Sequence, residues 1–299
     1  MTTLEANRRI ALKNILFLTD FSETSAAAVP FAMSMARAYG AIIHLLHVLV
    51  PSPYICMTPE MAPLLLDDQE DVARAEMQRV EAQFSGLPAE VVIERGHAVW
   101  PVISELLEKD KFDLIVLGTH GRTGVQKLLL GSSAEEVFRR ARIPVLTIGP
   151  AVERGTHSGG RFHCVLFATD FNTVSAAASP YAVSLAQENQ SRLVLLHVLA
   201  KPKRPATERE RELSIAEALH RLHEFVPAEA EMWCRPEAVV QHGDPAEKIL
   251  AAAGEHKADL IVLGVRGIDR LAGAASHVDR AVTYQVMVHA KCPVLTVRG

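Results

Sequence analysis

The residue types best suited to holding an anion cluster in one stretch. Gly118-Thr119-His120-Gly121-Arg122-Thr123-Gly124 is followed, ten residues beyond Gly121, by Gly131-Ser132-Ser133. Glycines let a backbone come close to an anion, and a helix that starts at such a place presents free N–H groups and the positive end of its dipole. Ser132 and Ser133 add hydroxyl donors, and Thr119 and Arg122 belong to the same segment. Far upstream, Thr19-Asp20 closes the first apolar run, and Val48 lies near the end of the second. A carboxylate such as Asp20 accepts hydrogen bonds from ribose hydroxyls. Each feature alone has a plainer explanation: the glycines can serve a tight turn, and Asp20 a helix cap. Only their meeting at one edge of a sheet would make a nucleotide pocket, acidic at the sugar end and N–H-rich at the phosphate end. The spacing is neither G-x-x-x-x-G-K-[ST] nor G-x-G-x-x-G.

The other candidates are weaker. His44 and His47, three apart on a strand, face opposite sides and cannot share a metal. His220 and His223 suit the surface of a helix and have no third ligand. His120 is a candidate general base, but no nucleophile or metal-binding carboxylate pairs with it. The four cysteines, Cys56, Cys164, Cys234 and Cys292, form no C-x-x-C and read as buried thiols of a reducing compartment. The net charge of −4 argues against a nucleic-acid binder, and an aromatic share of 5% leaves few platforms for stacking bases. The amino terminus lacks the apolar core of a secretory signal, and Ala41–Val50 is half the length needed to cross a bilayer. The expectation is a cytoplasmic protein with no membrane contact.

The elements that must position these residues occur twice. Setting Ile15–Leu49 over Val165–Leu199 makes about half of the positions identical. TDF at Thr19–Phe21 recurs at Thr169–Phe171, LLHVL at Leu45–Leu49 recurs at Leu195–Leu199, and DLIVLG at Asp113–Gly118 recurs at Asp259–Gly264. Within the first copy, strands are expected at Asn14–Thr19, Ala41–Val50, Glu90–Glu94, Leu114–Leu117 and Val145–Ile148. Helices are expected at Ser25–Tyr39 (with Pro30 awkward inside it), Asp68–Phe84, Val99–Lys109 and Ser132–Ala141. The alanines of Ser25–Ala28 suit close helix–sheet packing, and Pro51–Leu66, with MAPLLL, suits a lid or a partner contact. Strand–helix alternation predicts two tandem α/β domains, each a doubly wound, five-stranded parallel sheet of the Rossmann or flavodoxin-like kind. The boundaries expected are 1–150 and 162–299, with a glycine-rich linker at 151–161.

With these residues in view, the chain resembles a tandem universal stress protein over both halves. The family's ATP-binding signature, G-x2-G-x9-G-[ST], is matched by Gly118, Gly121, Gly131 and Ser132, and TDFS at Thr19–Ser22, HV at His47-Val48 and DLIVLGTHGR also fit. The resemblance implies ATP, with or without Mg²⁺, as ligand. It implies that Asp20 meets ribose or base, that the backbone near Val48 meets adenine, and that the signature residues cradle the phosphates. It further implies a stress-response role, a protein partner, and homodimers or intramolecular pseudo-dimers packed through the apolar fifth strands. The second copy departs from the pattern. Ten residues beyond Gly267 stand His277-Val278, and alignment backwards from Pro293 gives Arg280-Ala281, so the Gly-Ser is lost either way. One competent and one degenerate site are expected, in a nucleotide-regulated protein whose purpose is not turnover. The alternatives are a slow ATP hydrolase or adenylate-transferring enzyme, and a nucleotide-free scaffold.

Overall fold

A computed structural model describes residues 10–51, 62–119, 130–152, 160–200, 207–234, 236–266 and 274–299. Contacts divide the chain into two compact units, whose main bodies are Leu12–Ile148 and Arg161–Gly299.

The first unit runs β1 (Asn14–Leu18), α1 (Glu23–Tyr39), β2 (Ile42–Leu49), α2 (Ala62–Gln83), β3 (Ala89–Arg95), α3 (Val99–Lys109), β4 (Leu114–Gly118), α4 (Ser132–Arg140) and β5 (Val145–Ile148). Its strands lie in the order β3-β2-β1-β4-β5, all parallel. Helix α1 lies against β1, β2, β4 and β5, while α2 covers β2 and β3 and α3 packs on α4. The fold is the expected doubly wound α/β layer arrangement. The chain winds outward from β1 to β3 and then returns to β4 on the other side of β1. The carboxyl ends of β1 and β4 therefore flank the point where strand order reverses, the usual place for a ligand in an open parallel sheet.

The sequence accounts for these elements locally. Ile15, Leu16 and Phe17 are fully buried, as a strand covered on both faces requires. Ala28, Ala32 and Ala36 recur at helical spacing with no exposure, so α1 lies close on the sheet. Helix α2 starts six residues ahead of the expected Asp68. Pro63 falls in its first turn, where a missing N–H costs nothing, and the leucines that follow propagate a helix readily. Pro30 sits inside α1 without ending it.

The second unit repeats the plan with β6 (Cys164–Ala168), α5 (Thr173–Asn189), β7 (Arg192–Leu199), α6 (Glu208–His223), β8 (Pro236–His242), α7 (Pro245–Glu255), β9 (Leu260–Val265), α8 (Ala274–His289) and β10 (Val294–Arg298). A 3-10 turn at Ala228–Met232 precedes β8. The parallel strands lie in the order β8-β7-β6-β9-β10. The last helices of the two copies differ: α8 has sixteen residues against nine in α4. Since Arg140 and His289 hold equivalent places ahead of PVLT, α8 begins seven residues earlier than α4 does.

Candidate functional site

A cleft of about 280 Å³ opens in the first unit beyond the carboxyl ends of β1, β2 and β4. Of the residues expected at a site, Thr19, Asp20, Val48, Gly118, Thr119, Gly131, Ser132 and Ser133 all line it. Gly121, Arg122 and the candidate base His120 lie outside the described residues. The structure thus brings together residues that are more than a hundred positions apart in the chain.

The β1 end is an ordered turn. The Phe21 N–H donates to Thr19 Oγ1 (3.0 Å), and the Ser22 N–H donates to Asp20 Oδ1 (3.0 Å). Ser22 is the N-cap of α1 and accepts from the Ser25 N–H (3.1 Å), so the helix-cap role falls to Ser22 and leaves Asp20 on the cleft wall. Ser25 Oγ donates to the Ser22 carbonyl (2.8 Å), so its 3.2 Å contact with Thr19 Oγ1 is donated by the threonine. His47, also on the wall, reaches the Thr19 carbonyl from Nδ1 at 2.8 Å.

At the β4 end the glycines divide by role. A Cβ on Gly118 would stand 2.7 Å from the Thr24 carbonyl carbon and oxygen and 2.9 Å from the Ser25 nitrogen. Gly264 in the second copy is in the same position, 2.4 Å from Ser175 Cα and 2.5 Å from the Val174 oxygen. The second copy keeps this glycine without the Gly-Ser, so close packing of strand end on helix start accounts for both. Gly131 differs. It is the N-cap of α4 at φ −60°, ψ 147°, a conformation any residue adopts, and it supplies no side-chain cap. Its N–H donates to the carbonyl of the buried Thr119 (2.7 Å), which ties the helix start to the strand end.

The α4 ladder begins with the Glu135 N–H donating to Gly131 O (2.8 Å). The N–H groups of Ser132, Ser133 and Ala134 therefore have no acceptor within the helix. Helix α3 brings a second such end to the cleft through Val99, its first residue. Its N-cap is Ala98, which again offers no side-chain hydrogen bond. The helices α1, α5, α6 and α7 are all capped by a side chain, from Ser22, Asn172, Thr207 and Asp244. Among the α-helices with described caps, the uncapped pair is the pair that opens on this cleft. The rest of the wall is apolar: Leu18, Leu46, Leu117 and Val137 join Val48 and Val99.

Val99, the apolar Val137 and the place of His47 on the wall were not expected from the sequence. The start of α3 follows the carboxyl end of β3, so the rule that ligands lie beyond strand ends extends to it. In sequence the segment shows only a helix beginning at Val99, with no hydroxyl at its start and its one glycine, Gly96, two residues ahead of the Ala98 N-cap.

The second copy builds the same β-end turn and then closes it. Asp170 Oδ1 accepts from Ser175 Oγ (2.7 Å) and the Asn172 N–H (3.1 Å), while Oδ2 accepts from Asn172 Nδ2 (2.6 Å). Its carboxylate is consumed within its own turn. Helix α7 is capped by Asp244. Because α8 begins early, Ala281, the counterpart of Ser132, lies within a helix whose N–H groups are already committed to preceding carbonyls. Burial pulls the His197 imidazole below the ordinary histidine value. The Thr169 carbonyl opposes that shift, and the Arg221 guanidinium adds to it.

No group of histidine, cysteine and carboxylate side chains suited to a metal occurs among the described residues. Cys164, Cys234 and Cys292 are free and buried, and burial pushes the thiols of Cys234 and Cys292 up to about 11 and about 12. No described helix is long and apolar enough to cross a membrane.

The universal stress protein family matches the chain twice, over residues 11–149 and 161–298. The chain belongs to this family. A universal stress protein of Methanocaldococcus jannaschii is 30% identical over 149 residues, which are 46% of this chain and 81% of that one. A universal stress protein of Mycolicibacterium smegmatis is 26% identical over 288 residues, 92% of this chain and 96% of its own. Among solved structures, a universal stress protein from Archaeoglobus fulgidus is similar in fold, with a TM-score of 0.66 at 20% identity, covering 95% of this chain and 98% of that one. As a universal stress protein of two copies, the chain shares its tandem plan with relatives that match along nearly its whole length.

Proposed function

We propose that the first copy binds one adenine nucleotide, ATP, and that the second copy binds none. The carrying observation is the uncapped pair of helix ends, α3 and α4, at the cleft. Helix N-termini without partners attract negative charge, and hydroxyls of Ser132 and Ser133 stand beside one of them. In this reading the apolar wall of Leu46, Val48, Val99 and Val137 receives the base, and Asp20 accepts from the ribose hydroxyls. The start of α4 holds the phosphates, with Gly121 and Arg122 completing that end and Mg²⁺ accompanying them. Gly118 serves by letting β4 end against α1, which sets the width of the cleft.

The protein then acts as a cytoplasmic regulator in the stress response, working as a homodimer or through a pairing of its two copies. Nucleotide changes the surface offered to a protein partner to the extent that it binds one state of the loops more tightly than the other. The test is to denature the purified protein without added ligand and identify what is released, with Gly131→Asp alongside. An adenine nucleotide near one per chain, lost in the variant, supports the proposal. Release of nothing, together with no binding of added Mg-ATP, overturns it. Light scattering with and without ATP reads the assembly state.

A further inference from the structure

The turn that carries Asp20 is strained. Phe21 has φ +63°, a left-handed conformation in which Cβ crowds the backbone and which an ordinary side chain rarely adopts. Such a residue persists only where its surroundings hold it. Two contacts with one histidine do so. The Thr19 carbonyl can only accept, so at 2.8 Å the proton of the pair is on His47 Nδ1. The same imidazole lies against the Phe21 ring, with centroids 4.1 Å apart and planes 31° apart. His47 thus grips the residue before Asp20 and the residue after it. Both His47 and Asp20 line the cleft.

The second copy repeats the grip. His197 Nδ1 meets the Thr169 carbonyl at 2.8 Å, Phe171 has φ +65°, and the rings stand 4.1 Å apart at 30°. There the turn presents a carboxylate already consumed by Asn172 and Ser175. One clamp therefore serves a turn on a cleft, and its copy serves a turn that has closed.

We infer that His47 is a positioning residue for ligand binding: by holding Thr19 and Phe21 it fixes the direction in which Asp20 faces the cleft. The inference rests on the nucleotide-site proposal for the use of Asp20, but the clamp itself can be read without ligand. Three full-length variants separate its parts. His47→Phe keeps a ring against Phe21 and removes the donor. His47→Asn puts an amide N–H near the place of Nδ1 and removes the ring. His197→Phe repeats the first change in the closed copy.

With Mg-ATP as probe, His47→Phe should weaken binding by about tenfold, the worth of one well-placed hydrogen bond. His47→Asn should recover most of that loss. His197→Phe should bind as the wild type does while lowering stability by a similar amount. Amide exchange supplies the ligand-free readout: in His47→Phe the N–H groups of Phe21 and Ser22, bonded within the turn, should lose protection. Equal ATP binding in His47→Phe and wild type, or equal weakening by His197→Phe, overturns the inference. If the wild type binds no ATP, the site proposal falls by itself. Exchange then decides the clamp, with unchanged protection of Phe21 and Ser22 in His47→Phe overturning it and selective loss upholding it.

Discussion

At the scale of single residues, the same amino acid serves different ends at positions that a motif treats alike. Gly118 and Gly131 stand in one signature, yet Gly118 answers a packing demand that it shares with Gly264, while Gly131 is an N-cap in ordinary extended backbone. Gly118→Ala and Gly264→Ala should each destabilise their unit, by about 1–3 kcal/mol, because the new methyl meets helix backbone. Urea unfolding of the two variants checks this. Equal losses would show that the strand-end glycine is a packing residue in both copies. His197 makes a prediction of opposite character. Its imidazole titrates below the ordinary value when folded, so between the two values the unfolded chain holds more protons. Stability of the second unit should be full above the unfolded value of about 6.5 and decline as pH falls below it. His197→Gln should flatten that dependence, as read from unfolding midpoints across the acid range.

At the scale of elements, the first copy has two helix N-termini without a side-chain cap, where every other described α-helix N-terminus of known cap is closed by one. Ala98 is already extended, at φ −156°, ψ 160°, so Ala98→Ser can cap α3 without moving the backbone. Such a cap is worth about 1 kcal/mol of stability. The expected result is a protein that unfolds later and binds ATP several times more weakly. Calorimetry on one preparation measures both, and a gain in stability with undiminished binding would remove α3 from the site. Most of the strand and helix pattern was legible in the chain, because β1, β2 and α1 announce themselves by buried runs and alanine spacing. The Thr19-Asp20 pair and Gly131-Ser132-Ser133 were legible for another reason: one closes an apolar strand, the other opens a helix, and the spacing from Gly118 fits the family signature. Val99 was not, since an open helix end built from Ala98 and Val99 differs from a closed one by what is missing. The left-handed backbone of Phe21 was also hidden, as phenylalanine gives no warning of it.

At the scale of the whole molecule, two units of one design are expected to answer a ligand differently. Multi-domain chains need not unfold in one step, and a ligand raises the stability of the unit that binds it. Mg-ATP at a hundred times its dissociation constant should therefore add about 2.7 kcal/mol to the first unit and nothing to the second. A scanning calorimetry trace should show one component moving while the other stays, and equal movement of both would contradict a single site. The longer last helix of the second copy carries a consequence for anyone who would give that copy a ligand. Seven extra helical residues carry the helix start about 10 Å further along its axis, and the backbone donors go with it. Restoring a glycine and a serine at Arg280 and Ala281 would place them in mid-helix, facing no ligand. A second binder would need a shorter helix and a longer connection from β9, together with a serine for Asn172. It is a problem of chain length before it is one of side chains.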